Sequence, residues 1–157
     1  MNEEKKNTKH KMIFAKATAY GYCAITVYEN KEKLMVCDIV ESGDIDQFIE
    51  DLSFLARKHI PELVQYECTV YMHECTTLRN ILQHDNIKVR GYKSEGTYIN
   101  RIVSQAHWIE SNVLVNEIFP SFIDKMTSFN ISDPDKTNIA LDVLSDATQY
   151  LRRFYFK

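Results

Sequence analysis

The chain has 157 residues, 45% hydrophobic and 26% charged, an ordinary mixture for one globular domain with a sizeable core. Its net charge of -3 excludes a global basic field for nucleic acid, so any DNA contact has to come from a local patch. No apolar run approaches the roughly 20 residues that span a bilayer, and the charged N-terminus does not resemble a signal peptide.

The N-terminal segment is lysine-rich and has no apolar periodicity. We expect residues 1–11 to form a flexible polar tail and residues 12–157 to form a single domain. The cysteines lack a paired CxxC spacing and mostly lie in apolar, strand-like runs. This pattern favours small buried side chains in a reducing compartment over a zinc site.

Three strand-like runs open the domain, at residues 12–18, 22–28 and 34–40. Their connections are short, which predicts an antiparallel meander. A helix is predicted over residues 42–59, with apolar side chains at helical spacing and a cap at Asp44. Because a crossover helix follows the meander, we expect the next strand to pair parallel with the first.

That next strand is predicted at residues 68–74, where β-branched and aromatic residues alternate before a carboxylate. Glu74 ends the run, and a helix can begin on the threonines that follow. Open α/β sheets place their chemistry where a central strand ends beside a helix start, so Glu74 is the leading catalytic candidate. The alternative is a solvated residue at the end of a strand.

The second half of the chain alternates between the two kinds of periodicity. Helices are predicted at residues 78–84, 98–108, 119–129 and 138–154, and strands at residues 87–92 and 113–115. The last helix carries Asp142 and Asp146 one turn apart. Since nothing else on that helix converges on them, we interpret both as acids on a solvated face rather than as a metal pair.

The order of these elements resembles an RNase H-like nuclease domain, and more narrowly the nuclease domain of phage terminase large subunits. Three segments carry the resemblance: YMHE at residues 71–74, YINRI at residues 98–102, and FPSFIDKMTSFNISDPDKTNIALDVLSDATQYLRR near the end. The resemblance implies an α/β fold with a mixed sheet, three antiparallel strands followed by parallel strands, and helices on both faces. It also implies two-metal phosphodiester hydrolysis by carboxylates of the first strand, the central strand and the last helix.

Carried over residue by residue, the resemblance retains one family acid, Glu74, at the central strand. Lys16 stands where the family has its first-strand aspartate. Asn138 and Ile139 stand where an aspartate pair opens the last helix, and Tyr98 replaces a common lysine. Other candidates are Asp38, Asp133, Asp135 and Asp142 as substitute acids, and Arg101 with Tyr98 as contacts to DNA or a partner.

A lysine in place of a metal-binding aspartate opposes a divalent cation. We therefore expect no metal, no other cofactor, and a non-catalytic structural or DNA-handling role in virion assembly or genome packaging, as a portal, neck or tail component. The alternative is an active Mg- or Mn-dependent endonuclease domain of a terminase large subunit, with Mg²⁺ or Mn²⁺ at Glu74. We expect Lys16 to pair with Glu74, or else to reach solvent.

The resemblance also sets expectations about partners and location. The partners are expected to be phage structural or packaging proteins, with a homo-oligomeric ring as one arrangement, and double-stranded DNA, without a membrane. The location is expected to be the host cytoplasm during assembly, and the virion as a second location. The sequence has no P-loop motif, which suggests either a separated domain or a protein of another part of the phage. The aromatic residues Tyr155 and Phe156 either contact a partner or pack on their own domain.

Overall fold

The computed structural model describes residues 9–68, 72–130, 132 and 138–156. Within these ranges, six strands form one mixed sheet in the order β5-β4-β1-β2-β3-β6. The strands are β1 (Lys9–Thr18), β2 (Gly21–Asn30), β3 (Lys33–Ser42), β4 (Leu63–Glu67), β5 (Val89–Tyr92) and β6 (Val113–Val115). The predicted meander of β1, β2 and β3 is confirmed, and β4 pairs parallel with β1.

Helices cover both faces of the sheet, as predicted. The described helices are α1 (Ile45–His59), α2 (Met72–Leu82), α3 (Tyr98–Asn112), α4 (Pro120–Thr127) and α5 (Ile139–Phe154), with a 3-10 turn at Gln83–Asp85. Apolar residues of α1 and α2 form the core on one face, whereas those of α3, α4 and α5 form the core on the other.

Alternation along β1 assigns its side chains to these two cores. Ile13 and Ala15 belong to the core under α1 and α2, and Met12 and Phe14 belong to the core under α5. Since successive side chains of a strand point to opposite faces, Lys16 shares the α5 face.

The predicted cap of the first helix is confirmed. Asp44 accepts a hydrogen bond from the backbone N–H of Gln47 at 2.9 Å. The Gln47 side chain does not close a reciprocal capping box but donates to Asp51 at 2.8 Å. The helix ends where Ile60 adopts a left-handed conformation with φ of 46°, just before Pro61.

The central strand lies earlier in the chain than predicted. β4 is Leu63–Glu67, and the predicted strand at 68–74 is wrong, since its last residues open α2. Residues 69–71 lie outside the described residues. The register explains the shift, because Lys11 accepts a hydrogen bond from the N–H of Glu62 at 2.8 Å, so pairing with β1 begins directly after Pro61.

Both ends of the described chain are part of the folded domain. β1 begins at Lys9, so residues 9–11 of the predicted tail are strand, and residues 1–8 lie outside the described residues. Tyr155 and Phe156 pack against the core under α5, which favours packing on their own domain over contact with a partner. No described helix is long and apolar enough to cross a bilayer.

Candidate functional site

A buried lysine stands at the centre of the candidate site. The Lys16 side chain is only 4% exposed and points from β1 toward α5. Its Nζ lies 3.1 Å from Asp142 Oδ1 and 2.7 Å from Asp146 Oδ2. A charge buried to this degree requires compensation, and these two carboxylates provide it.

The two aspartates of α5 are buried, so the predicted solvated face is wrong. The side chains of Asp142 and Asp146 are 6% and 3% exposed. The physical reason is that α5 is enclosed nearly all round: residues 138–148 are all buried, between the sheet and the neighbouring helices. Two acids one helical turn apart therefore reach the same cation.

Arg101 of α3 supplies the second cation. Its guanidinium binds Asp142 in bidentate fashion, Nε to Oδ1 at 3.0 Å and Nη2 to Oδ2 at 3.1 Å. Its Nε also lies 3.6 Å from Asp146 Oδ1, and Nη1 donates to the carbonyl of Gly96 at 2.8 Å. Burial by itself would lower the pKa of Arg101, but Asp142 and Asp146 outweigh burial and raise the pKa.

Two hydroxyl groups complete the surroundings of Asp146. Tyr92 donates to Asp146 Oδ2 at 2.9 Å, and Ser94 donates to the same oxygen at 2.7 Å. Burial, with the adjacent negative charge of Asp146, raises the pKa of Tyr92 well above its ordinary value, so the phenol stays a donor. Three donors, including the ammonium of Lys16, therefore surround one carboxylate oxygen.

The acid at the end of the central strand is Glu67, which the sequence analysis missed. The register pairs Ala15 with Tyr66, and one further residue brings Lys16 level with Glu67 on the same face of the sheet. Glu67 is buried, and the N–H of Ser94 lies 3.5 Å from its Oε1. The signal was the short alternating run LVQYE at residues 63–67, which begins two residues after Pro61.

Glu74 lies apart from this group. It is in the first turn of α2 and accepts a hydrogen bond of 3.5 Å from the Tyr66 hydroxyl. Tyr66 belongs to the core under α1 and α2, on the face opposite Lys16. The predicted pairing of Lys16 with Glu74 is therefore wrong. Burial raises the pKa of Glu74 despite the opposing effects of Tyr66 and His73.

Asp38 also lies away from the site. It is on β3 and pairs with Lys58 Nζ at 3.0 Å and His59 Nε2 at 2.8 Å, both at the end of α1. Burial by itself would raise the pKa of Asp38, but the hydrogen bonds from His59 and Lys58 outweigh burial and lower it. Asp38 is thus a structural partner of α1, and Asp133 and Asp135 lie outside the described residues.

The remaining candidates have local structural contacts. Asn138 caps α5 by accepting a hydrogen bond from Leu141 N at 3.2 Å, and its amide donates to the Lys125 carbonyl at 2.8 Å. Ile139 packs in the core under α5. Tyr98 opens α3 and makes an edge-on contact with Phe129, with ring centroids 6.5 Å apart.

We call Lys16, Arg101, Asp142 and Asp146 the ion-pair cluster, and Glu67 lies level with Lys16 on the neighbouring strand. The cluster contains two cations and two carboxylates, so its negative charge is compensated within the protein. The oxygens that a hard divalent cation would need carry an ammonium and a guanidinium instead. No group of three or more His, Cys, Asp or Glu in the described ranges is arranged to hold a metal ion.

The meander, the parallel central strand and the covering helices define an RNase H-like α/β fold. Within that class, the chain has the fold of terminase nuclease domains. It superimposes on the human cytomegalovirus terminase nuclease domain soaked with Mn with a TM-score of 0.69 at 7% identity, covering 96% of this chain and 86% of that one.

Two other viral proteins share the fold. The large-terminase nuclease domain of bacteriophage SPP1 with bound Mn gives a TM-score of 0.59 at 12% identity, with 92% and 86% of the two chains covered. The Holliday junction resolvase of fowlpox virus gives 0.58 at 13% identity, with 90% and 99% covered. No family model and no curated protein matches the sequence. The similarity therefore lies in the fold.

Proposed function

We propose that this chain is a terminase-nuclease-like domain that does not cleave DNA by two-metal chemistry and serves a structural or DNA-handling role in virion assembly or genome packaging. The supporting observation is the position of Lys16, whose ammonium lies 3.1 and 2.7 Å from the two buried aspartates of α5. It stands on the first strand, level with the acid that ends the central strand.

Electrostatics supports the loss of metal chemistry. An ammonium about 4 Å from a divalent cation repels it by about 8 kcal/mol at an effective dielectric constant of about 20. Moving Lys16 aside would in turn leave Asp142 and Asp146 with one cation between them. A divalent ion would therefore have to displace an ion pair that is already buried and hydrogen-bonded.

The proposed context follows from the proteins with the same fold. The cytomegalovirus and SPP1 domains belong to terminases, and the SPP1 domain is that of a large terminase. We propose phage structural or packaging proteins as partners, including further copies of this chain in a ring, and DNA as a ligand. The proposed location is the host cytoplasm during assembly, with the virion as a second location. One sheet includes strands from both halves of the chain, which supports a single domain.

Plasmid cleavage tests the proposed function. Wild-type protein and Glu67→Gln are incubated with supercoiled plasmid in Mg²⁺ or Mn²⁺, with a chelator as the blank. We expect wild type to nick the plasmid no faster than Glu67→Gln. Metal-dependent cutting by wild type that the substitution abolishes would overturn the proposal and establish the alternative, an active endonuclease domain.

A further inference from the structure

A cleft of about 400 Å³ lies between β5, at one edge of the sheet, and the C-terminal half of α5. Phe14 is part of its lining, Tyr150 and Phe154 come from α5, and Arg90 and Lys93 come from β5 and the residue that follows it. Its volume is in the range of small-ligand sites and suits one nucleotide rather than a folded partner.

The cleft carries two cations that the described structure leaves uncompensated. Arg90 and Lys93 are exposed, and neither forms an ion pair with a described residue. The carboxylates that line the cleft are already engaged. Glu95 lies 3.4 Å from Arg153, and Asp146 belongs to the ion-pair cluster. A local positive charge therefore exists on a chain whose net charge is negative.

Aromatic surface lies beside these cations. Phe154 is 52% exposed, at the end of a helix whose first half is fully buried. Its ring centroid lies 4.7 Å from that of Tyr150, at an interplanar angle of 49°. An exposed ring supported by a second ring offers a flat face on which an unpaired base can stack.

We propose that this cleft binds single-stranded DNA, with a base against Phe154 and Tyr150 and the adjoining phosphates at Arg90 and Lys93. Duplex bases stack on one another and do not present their faces, so the aromatic wall favours a single strand over a duplex. The proposal deepens the DNA-handling part of the proposed function and rests on it for its biological setting. It does not depend on whether the domain cleaves.

A simpler explanation of the same charges is protection of the sheet edge. Charged side chains on an edge strand discourage pairing with another chain, and β5 is an edge strand. That explanation gives no role to the exposed ring of Phe154. It predicts that removing the charges leaves DNA affinity unchanged, which separates it from our proposal.

The test measures fluorescence anisotropy of a labelled oligothymidylate in a chelator-containing buffer, so that cleavage plays no part. Arg90→Glu/Lys93→Glu is compared with Lys31→Glu/Lys33→Glu, which reverses two exposed charges at the β2–β3 turn, toward the other side of the sheet. We expect the cleft variant to bind about 10-fold or more weakly than its control. We also expect its slope of log K against log salt to be shallower by about 1.4, the value for two single-strand phosphate contacts.

A second comparison tests stacking. Phe154→Ala is compared with Phe54→Ala, since Phe54 is a 68% exposed phenylalanine of α1, on the opposite face of the sheet. Loss of one stacked base weakens binding about 5-fold or more, and we expect that loss only in Phe154→Ala.

Equal binding by the cleft variants and their controls would overturn the inference, as would a duplex of the same length that competes as well as the single strand. Binding by a protein that also cleaves plasmid would overturn the proposed function and leave the inference standing. Absence of both binding and cleavage would overturn the inference alone.

Discussion

Replacing Lys16 by methionine tests the energetics of the ion-pair cluster. Methionine fills a similar volume but removes the ammonium from Asp142 and Asp146. At an effective dielectric constant of about 20, each ion pair contributes roughly 5–6 kcal/mol of gross attraction at the observed distances of 3.1 and 2.7 Å. Desolvation cancels part of that attraction, and breaking a buried pair from one side costs about 3–5 kcal/mol.

We therefore expect Lys16→Met to lower the free energy of unfolding by about 3–5 kcal/mol, a large share of the stability of an ordinary domain. Urea unfolding followed by circular dichroism measures the change. Lys125→Met is the matched control, because Lys125 also forms an ion pair, with Glu41 at 3.0 Å. In that pair the side chains of Lys125 and Glu41 are 37% and 43% exposed, respectively. That substitution should cost no more than about 1 kcal/mol.

The double variant Lys16→Met/Asp146→Asn separates charge from packing. If the cost of Lys16→Met arises from an uncompensated carboxylate, neutralising Asp146 should recover about 1 kcal/mol or more relative to additivity. A cost of Lys16→Met equal to that of Lys125→Met, or strictly additive effects in the double variant, would refute the electrostatic account of the cluster.

Three further outcomes are expected. Because the pKa of Asp38 is lowered in the folded protein, its contribution to stability is present above about pH 3.9 and is lost as the pH falls through the folded-state pKa. The difference in unfolding free energy between wild type and Asp38→Asn, measured by urea unfolding, should therefore shrink at acid pH. A difference that grows at acid pH would contradict this direction. Tyr92→Phe removes one donor to Asp146 and should cost about 1–2 kcal/mol in the same assay, and no loss would indicate that the hydroxyl is dispensable. Lys16→Asp replaces the ammonium by a carboxylate beside Glu67, so Mn²⁺ should raise the melting temperature of this variant and not that of wild type. An equal shift in both proteins would contradict the proposal that the Lys16 ammonium opposes a divalent cation.

The sequence predicted the parts of the fold in which local pattern and tertiary packing agree. The meander, the capped helix α1 and the long apolar stripe of α5 follow from short turns, Asp44 and helical spacing, and the structure confirms them. The topology was also predictable, because a crossover after a meander returns a parallel strand beside the first.

The central strand was predicted at the wrong residues because intrinsic β-propensity and the observed pairing with β1 disagree. The residues around Tyr71 are β-branched and aromatic, but the strand that pairs with β1 is the less distinctive run that ends at Glu67. A short connection after Pro61 fixes this register, and propensity carries no information about it. The misplaced strand shifted the central acid by seven residues, from Glu67 to Glu74.

The candidate site was misjudged for a related reason. One sequence shows that Asp142 and Asp146 lie one turn apart, but not which neighbours enclose their helix. Only the tertiary arrangement shows that Lys16 and Arg101 reach both acids from β1 and α3. The unusual lysine on the first strand was visible in the sequence, whereas its partners were not.

The central claim is that the Lys16 ammonium occupies the place among the carboxylates that a divalent cation would need. Anomalous scattering from crystals soaked in Mn²⁺ tests it most directly. The account predicts Lys16 Nζ in contact with Asp142 and Asp146, and no anomalous peak between these aspartates and Glu67. A manganese peak at that position, with the Lys16 side chain displaced from the aspartates, would contradict it.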